Sequence, residues 1–140
     1  MEKEAIVLGL PVHPVTMTEA VARIRQAVAT GLRMRVVTLN PEMVMAARRH
    51  PGLAAALRRG DLIVPDGYGV VWALKRYGWK RQERVAGVDL VENLFAAGVP
   101  GGLRVYLLGG TAGVAEEAAR RITARWPGVQ VGGTAPGYFP

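Results

Sequence analysis

The sequence predicts an α/β protein built on a mostly parallel sheet with helices on both faces. Three observations predict it. Short apolar, β-rich runs at Arg35 to Leu39, Leu62 to Val64 and Leu103 to Leu108 alternate with helical patterns of ten or so residues. Each run ends in a turn-forming cluster: Asn40-Pro41-Glu42, Pro65-Asp66-Gly67 and Gly109-Gly110-Thr111. Of the 140 residues 50% are hydrophobic and 21% charged, the balance of a folded core rather than a disordered chain. Right-handed crossovers in such a sheet put ligands outside the carboxyl ends of the strands, at the loops after Leu39, Val64 and Leu108.

In chain order, Ala5 to Leu10 is an apolar run closed by Pro11, an edge strand or one arm of a hairpin. Thr16 and Glu19 have the spacing of a capping box. The helix they open carries Ala20, Ile24, Ala27 and Val28 on one face and stops at Gly31. Asn40 as N-cap, Pro41 at the first position and Glu42 against the macrodipole start a helix reaching about Arg49. Pro51-Gly52 breaks it, and a short helix from Leu53 to Arg59 closes at Gly60. After the Leu62 to Val64 strand, Tyr68 to Tyr77 is helical, with Val70, Val71, Trp72 and Leu74. The polar, basic stretch from Gly78 to Gly87 is a loop, and Asp89 to Ala97 is a helix ended by Gly98. The strand from Leu103 to Leu108 runs into a glycine-rich turn, an alanine-rich helix to about Trp126, and a last strand starting at Gln130-Val131. No repeat or linker divides the chain, so residues 1–140 read as a single α/β domain. The last strand has no helix after it, and the sheet is expected to continue in a longer protein.

Composition excludes several classes. Cysteine is absent, which removes disulfide scaffolds, Cys-ligated zinc, iron–sulfur clusters and thiol catalysis. Serine is absent too, so no serine nucleophile exists. The acids of Met1-Glu2-Lys3-Glu4 do not resemble the basic start of a secretory signal, and a cytoplasmic location is expected. The net charge of +7 suits a polyanionic partner: nucleotide phosphate, nucleic acid or an anionic membrane surface. A basic nucleic-acid-binding module would explain that charge, but the aromatic interleaving of a single-strand groove is missing.

Several residues have both a structural and a chemical reading. Gly109 and Gly110 follow a strand and precede a helix, where backbone N–H groups can cradle phosphate or simply turn the chain. Their spacing fits neither the dinucleotide nor the P-loop fingerprint, which weakens an oxidoreductase alternative. Asp66 lies just past a buried strand, where a carboxylate can face a cleft as a base, although Pro-Asp-Gly is also an ordinary turn. Thr38 and Asn40 flank the end of the preceding strand; β-propensity explains the first and capping the second. Arg84 can clamp a diphosphate through its guanidinium or serve as a solvated cation. His13 and His50 have no ligand spacing, and no metal site is expected.

Four segments together carry a resemblance: Val37-Thr38-Leu39-Asn40-Pro41-Glu42-Met43-Val44, Pro65-Asp66-Gly67-Tyr68-Gly69-Val70-Val71, Arg84-Val85-Ala86-Gly87-Val88-Asp89-Leu90 and Leu107-Leu108-Gly109-Gly110. In this order and spacing they resemble the WecG/TagA/CpsF glycosyltransferases, and Gly137-Tyr138-Phe139 is similar to a later family motif. The resemblance implies a Rossmann-like fold and an inverting, metal-independent, cofactor-free reaction. In it an N-acetylhexosamine, typically N-acetylmannosamine, passes from a UDP-sugar to undecaprenyl-diphosphate-linked N-acetylglucosamine, in teichoic acid, common antigen or capsule synthesis. It places the base on Asp66 and donor contacts on Thr38, Asn40 and Arg84, with Gly109 and Gly110 added as a phosphate turn. It also implies a peripheral position at the inner membrane face, with no nucleic-acid partner. Family members continue beyond this length, so the chain corresponds to the N-terminal catalytic core of a longer pattern, and exposed apolar surface would favour a homo-oligomer.

Overall fold

The computed structural model describes residues 4–140, which fall into two compact units, one ending at Glu92 and one beginning at Asn93. In the first, the opening apolar run is itself a hairpin: β1 (Ala5–Val7) pairs antiparallel with β2 (Leu10–Val12). The turn is Leu8-Gly9, with φ of 47° and 82°, both in the left-handed region that a two-residue hairpin of primed type requires. Pro11 therefore lies inside β2, opposite Ile6, rather than closing a single strand.

α1 (Met17–Thr30) starts at the expected capping box, with Thr16 Oγ1 accepting from Glu19 N and Glu19 Oε2 from Thr16 N, both at 3.1 Å. It ends at Gly31, whose φ of 69° is the left-handed stop. β3 (Val36–Leu39), α2 (Pro41–Ala47), α3 (Pro51–Arg58) and β4 (Leu62–Pro65) form a crossover unit whose two strands pair in parallel, Val36 opposite Leu62 and Leu39 opposite Pro65. Pro51 is the first residue of α3, not a spacer before it, because a first-turn proline gives up no helical hydrogen bond.

All four residues of β4 are buried, as befits a strand covered on both faces. Its N–H and C=O at Ile63 are taken by His13: Ile63 N donates to His13 Nδ1 and His13 N to Ile63 O, each at 2.8 Å. That exchange ties the hairpin to the parallel pair. The core of this unit gathers Leu10 and Val12 from β2, Leu39, Val44, Leu57 and Ile63, and Val70 and Leu74 from α4 (Tyr68–Arg76). The chain then runs through α5 (Gly87–Ala97) into the second unit.

There β5 (Leu103–Leu108), α6 (Val114–Arg125) and β6 (Val129–Ala135) make a second parallel crossover, with a register irregularity between Val105 and Tyr106. Phe95, Leu103 and Val129 form its core, closed by Trp126, whose ring meets Phe95 edge-on at 5.4 Å. Among the described residues the strands form three two-stranded ladders, two of them parallel, in keeping with the predicted α/β class. No helix among the described residues is long and apolar enough to cross a membrane.

Candidate active site

Three of the four motif segments meet in the first unit, at the carboxyl ends of β3 and β4. The ladder continues one step past the strands, with Asp66 N donating to Leu39 O at 2.9 Å. Val85 N then donates to Pro65 O at 2.8 Å, which brings the loop after α4 back alongside the end of β4. Val85 is fully buried, so an apolar anchor fixes the two polar residues beside it.

That return sets Arg84 and Gly87 around Asp66. Arg84 Nε and Nη2 both lie 3.3 Å from Asp66 Oδ1, and Gly87 N donates to Oδ2 at 3.1 Å. The carboxylate thus has a partner on each oxygen, which fixes its plane, while the side chain keeps 19% of its exposure. Oδ2, with Gly87 N as its one donor, retains a second lone pair that a hydroxyl can approach. The Arg84 guanidinium also lies over the Tyr68 ring, 5.3 Å from its centroid. Thr38 borders the same cluster: a Cβ on Gly87 would sit 3.0 Å from Thr38 Cγ2.

Asn40 caps α2, its Oδ1 accepting from Met43 N at 2.9 Å, which leaves the amide NH2 as its remaining donor group. The turn behind it is packed without slack. A Cβ on Gly67 or Gly69 would come within 2.8 and 2.9 Å of the Pro41 ring, so only glycine lets the two turns close on each other. Gly67 has φ of 110° as well, a second reason for glycine there. Two other acids flank these strands, Asp61 before β4 and Glu42 after β3. Asp61 Oδ2 accepts from Arg35 N at 2.6 Å at the opposite end of the ladder, and Glu42 is an exposed acid in the first turn of α2.

Gly109 and Gly110 lie in the second unit, at the carboxyl end of β5, with φ of 150° and 70°. Gly109 N donates to Ala135 O at 3.0 Å, and Gly137 N to Gly110 O at 2.8 Å. Gly137 is so close to this turn that a Cβ there would lie 3.2 Å from Gly109 Cα. A phosphate contact from this turn would therefore use N–H groups other than that of Gly109.

Sequence reasoning passed over three participants. Gly87, at the end of the sequence-predicted loop, holds Asp66 through its N–H. Tyr68, at the start of the predicted helix, backs Arg84 with its ring. Glu83, next to Arg84, accepts from Met17 N at 2.8 Å and anchors the loop on the start of α1. Only the glycine at a helix start carried a signal, since that residue type permits close approach. Among the described residues, no three His, Asp or Glu side chains group as a metal site.

The parallel strand–helix–strand crossovers are those of an α/β protein of Rossmann-like kind, and Asp66 and Arg84 pair just beyond the carboxyl ends of β3 and β4. The chain belongs to the WecG/TagA/CpsF family of glycosyl transferases, whose family model matches residues 5–140. It is similar to curated proteins called N-acetylglucosaminyldiphosphoundecaprenol N-acetyl-β-D-mannosaminyltransferase. That of Bacillus spizizenii (strain W23) is 36% identical over 103 residues, covering 74% of this chain and 40% of the relative. That of Staphylococcus aureus (strain NCTC 8325) is 30% identical over 125 residues, covering 88% of this chain and 49% of the relative. The chain spans less than half the length of these relatives. The oxidoreductase and nucleic-acid alternatives find no support among the matches.

Proposed function

We propose that this chain is the N-terminal part of the catalytic core of an inverting transferase. It would move N-acetylmannosamine from UDP to the N-acetylglucosamine of an undecaprenyl-diphosphate acceptor, the activity that its relatives' names describe. The observation that carries the reading is the Asp66 carboxylate, oriented through both oxygens by Arg84 and Gly87 N at the ends of two parallel strands.

The chemistry follows from that placement. The acceptor hydroxyl attacks the anomeric carbon from the face opposite UDP. Its oxygen forms the new glycosidic bond as the bond from the anomeric carbon to the phosphate oxygen breaks, and the electron pair leaves with UDP. The hydroxyl proton passes to Asp66, a step for which a placed carboxylate supplies a factor of about 10²–10⁴. No enzyme nucleophile is needed, so one carboxylate suffices where retaining glycosidases use two. Arg84, next to Asp66, offers its guanidinium to the diphosphate charge, the task that a divalent cation performs in metal-dependent transferases. Thr38 and the amide NH2 of Asn40 supply donor contacts. With a lipid-linked acceptor and a UDP-sugar donor, the reaction would take place at the inner face of the cell membrane.

Calorimetry tests the donor site. UDP should bind, and Arg84→Ala and Asn40→Ala should each weaken it by about tenfold, the loss of one hydrogen bond to a charged group. NAD should not bind. Unchanged UDP affinity in both variants, with folding intact, would remove this site from the account.

A further inference from the structure

The loop between α4 and α5, which carries Arg84, contains neither helix nor strand. In its polar run from Lys80 to Arg84 only Gln82 is buried, while Lys80, Arg81, Glu83 and Arg84 are exposed. A buried glutamine gives up rotamer freedom and must find partners for its amide. Gln82 uses both amide hydrogens: Nε2 donates to Val15 O and to Glu83 O, each at 2.8 Å.

Val15 belongs to the link between β2 and α1, and that link is itself fixed on β4. Val15 N donates to His13 O, and His13 N to Ile63 O, both at 2.8 Å. Ile63 stands in β4, the strand that ends just before Asp66. Glu83 makes a second tie to the same link. Its Oε1 accepts from Met17 N at 2.8 Å, the first N–H of α1, at the positive end of the helix macrodipole. Asp66 and Arg84 are therefore held from one strand along two routes, Asp66 directly at its end and Arg84 through His13, Val15 and Gln82. The routes close on each other where Arg84 Nε meets Asp66 Oδ1.

We propose that Gln82 and Glu83 are positioning residues, which lock the loop on the β2–α1 link and so set the affinity for UDP without touching it. Behind Arg84, the bond from Val85 N to Pro65 O fixes one point of the chain, about which the loop could still pivot. The ties of Glu83 and Gln82, immediately before Arg84, remove that freedom. An arginine that serves both Asp66 and a diphosphate gains from being held in place before the ligand arrives, because ordering it on binding would cost affinity. The same lock keeps Gly87 N on Asp66 Oδ2. The effect on UDP rests on the transferase reading, while the lock on the loop does not.

Hydrogen exchange and calorimetry on the full chain test it. In Gln82→Ala, and in Glu83→Ala at its exposed position, the Gly87 amide should exchange at least about tenfold faster as the loop loosens locally. The Ala54 amide, which donates to His50 O within α3, should keep its rate. Both variants should weaken UDP binding by up to about tenfold, the whole of what Arg84 contributes. Glu83→Gln, which keeps an oxygen for Met17 N, should restore both values. Added to Arg84→Ala, Glu83→Ala should cost no further UDP affinity, because it acts only through that guanidinium. Unchanged Gly87 exchange in both alanine variants would overturn the proposal. So would a further loss of affinity in the Glu83→Ala/Arg84→Ala double variant, which a merely structural role would produce. Absence of UDP binding to the unaltered chain would count against the transferase reading and the donor half of the proposal, and Gly87 exchange would still decide the lock.

Discussion

Under the proposed function, Asn40 would carry two functions on one amide. Its oxygen caps α2 and its nitrogen is assigned to the donor, so stability and binding should separate on substitution. Asn40→Ala should lower stability by about 0.5–2 kcal/mol through loss of the cap and weaken UDP binding as well. Asn40→Asp, which caps equally well, should keep the melting temperature and still lose UDP affinity. If thermal melts and calorimetry fall together in both variants, the donor role is gone. Thr38 was legible as a strand residue and Asn40 as a cap, because both follow from local chemistry. The partnership of Arg84 with Asp66 was not, since 18 residues separate them and the loop's return is set by tertiary bonds such as Val85 N to Pro65 O and Met17 N to Glu83.

Elements were easier to read than their joints. Hydrophobic periodicity and turn residues located every helix, and the two parallel crossovers follow from strand–helix alternation. The hairpin inside the first run escaped because Leu8 occupies a position where the rules for such turns look for asparagine or glycine. The packing of Pro41 against Gly67 and Gly69 locks the β3–α2 turn to the β4–α4 turn, and no spacing rule encodes that contact. Gly67→Ala should cost about 1–3 kcal/mol, from the left-handed backbone and the collision with Pro41. Leu62→Ala, at a fully buried position of β4, should cost about 2–5 kcal/mol without touching any site residue. Urea titration separates them from site variants. Leu62→Ala should change stability alone, whereas Gly67→Ala should also misplace Asp66.

At the scale of the molecule, this chain supplies less than half the length of its relatives, so turnover is best measured after restoring the remainder. A chimaera in which residues 5–140 replace the matching segment of the Staphylococcus aureus relative provides it. With Arg84 in place of a divalent cation, its transfer rate should be unchanged by chelators; a rate restored only by added divalent ion would refute that assignment. The central claim is that Asp66 takes the acceptor's proton. The direct measurement is transfer from UDP-N-acetylmannosamine to lipid-linked N-acetylglucosamine by the chimaera and its Asp66→Asn variant, with UDP-sugar affinity measured alongside. A loss of at least about a hundredfold in turnover with affinity kept is the predicted result. Near-normal turnover in the variant would contradict it and reduce Pro65-Asp66-Gly67 to a turn.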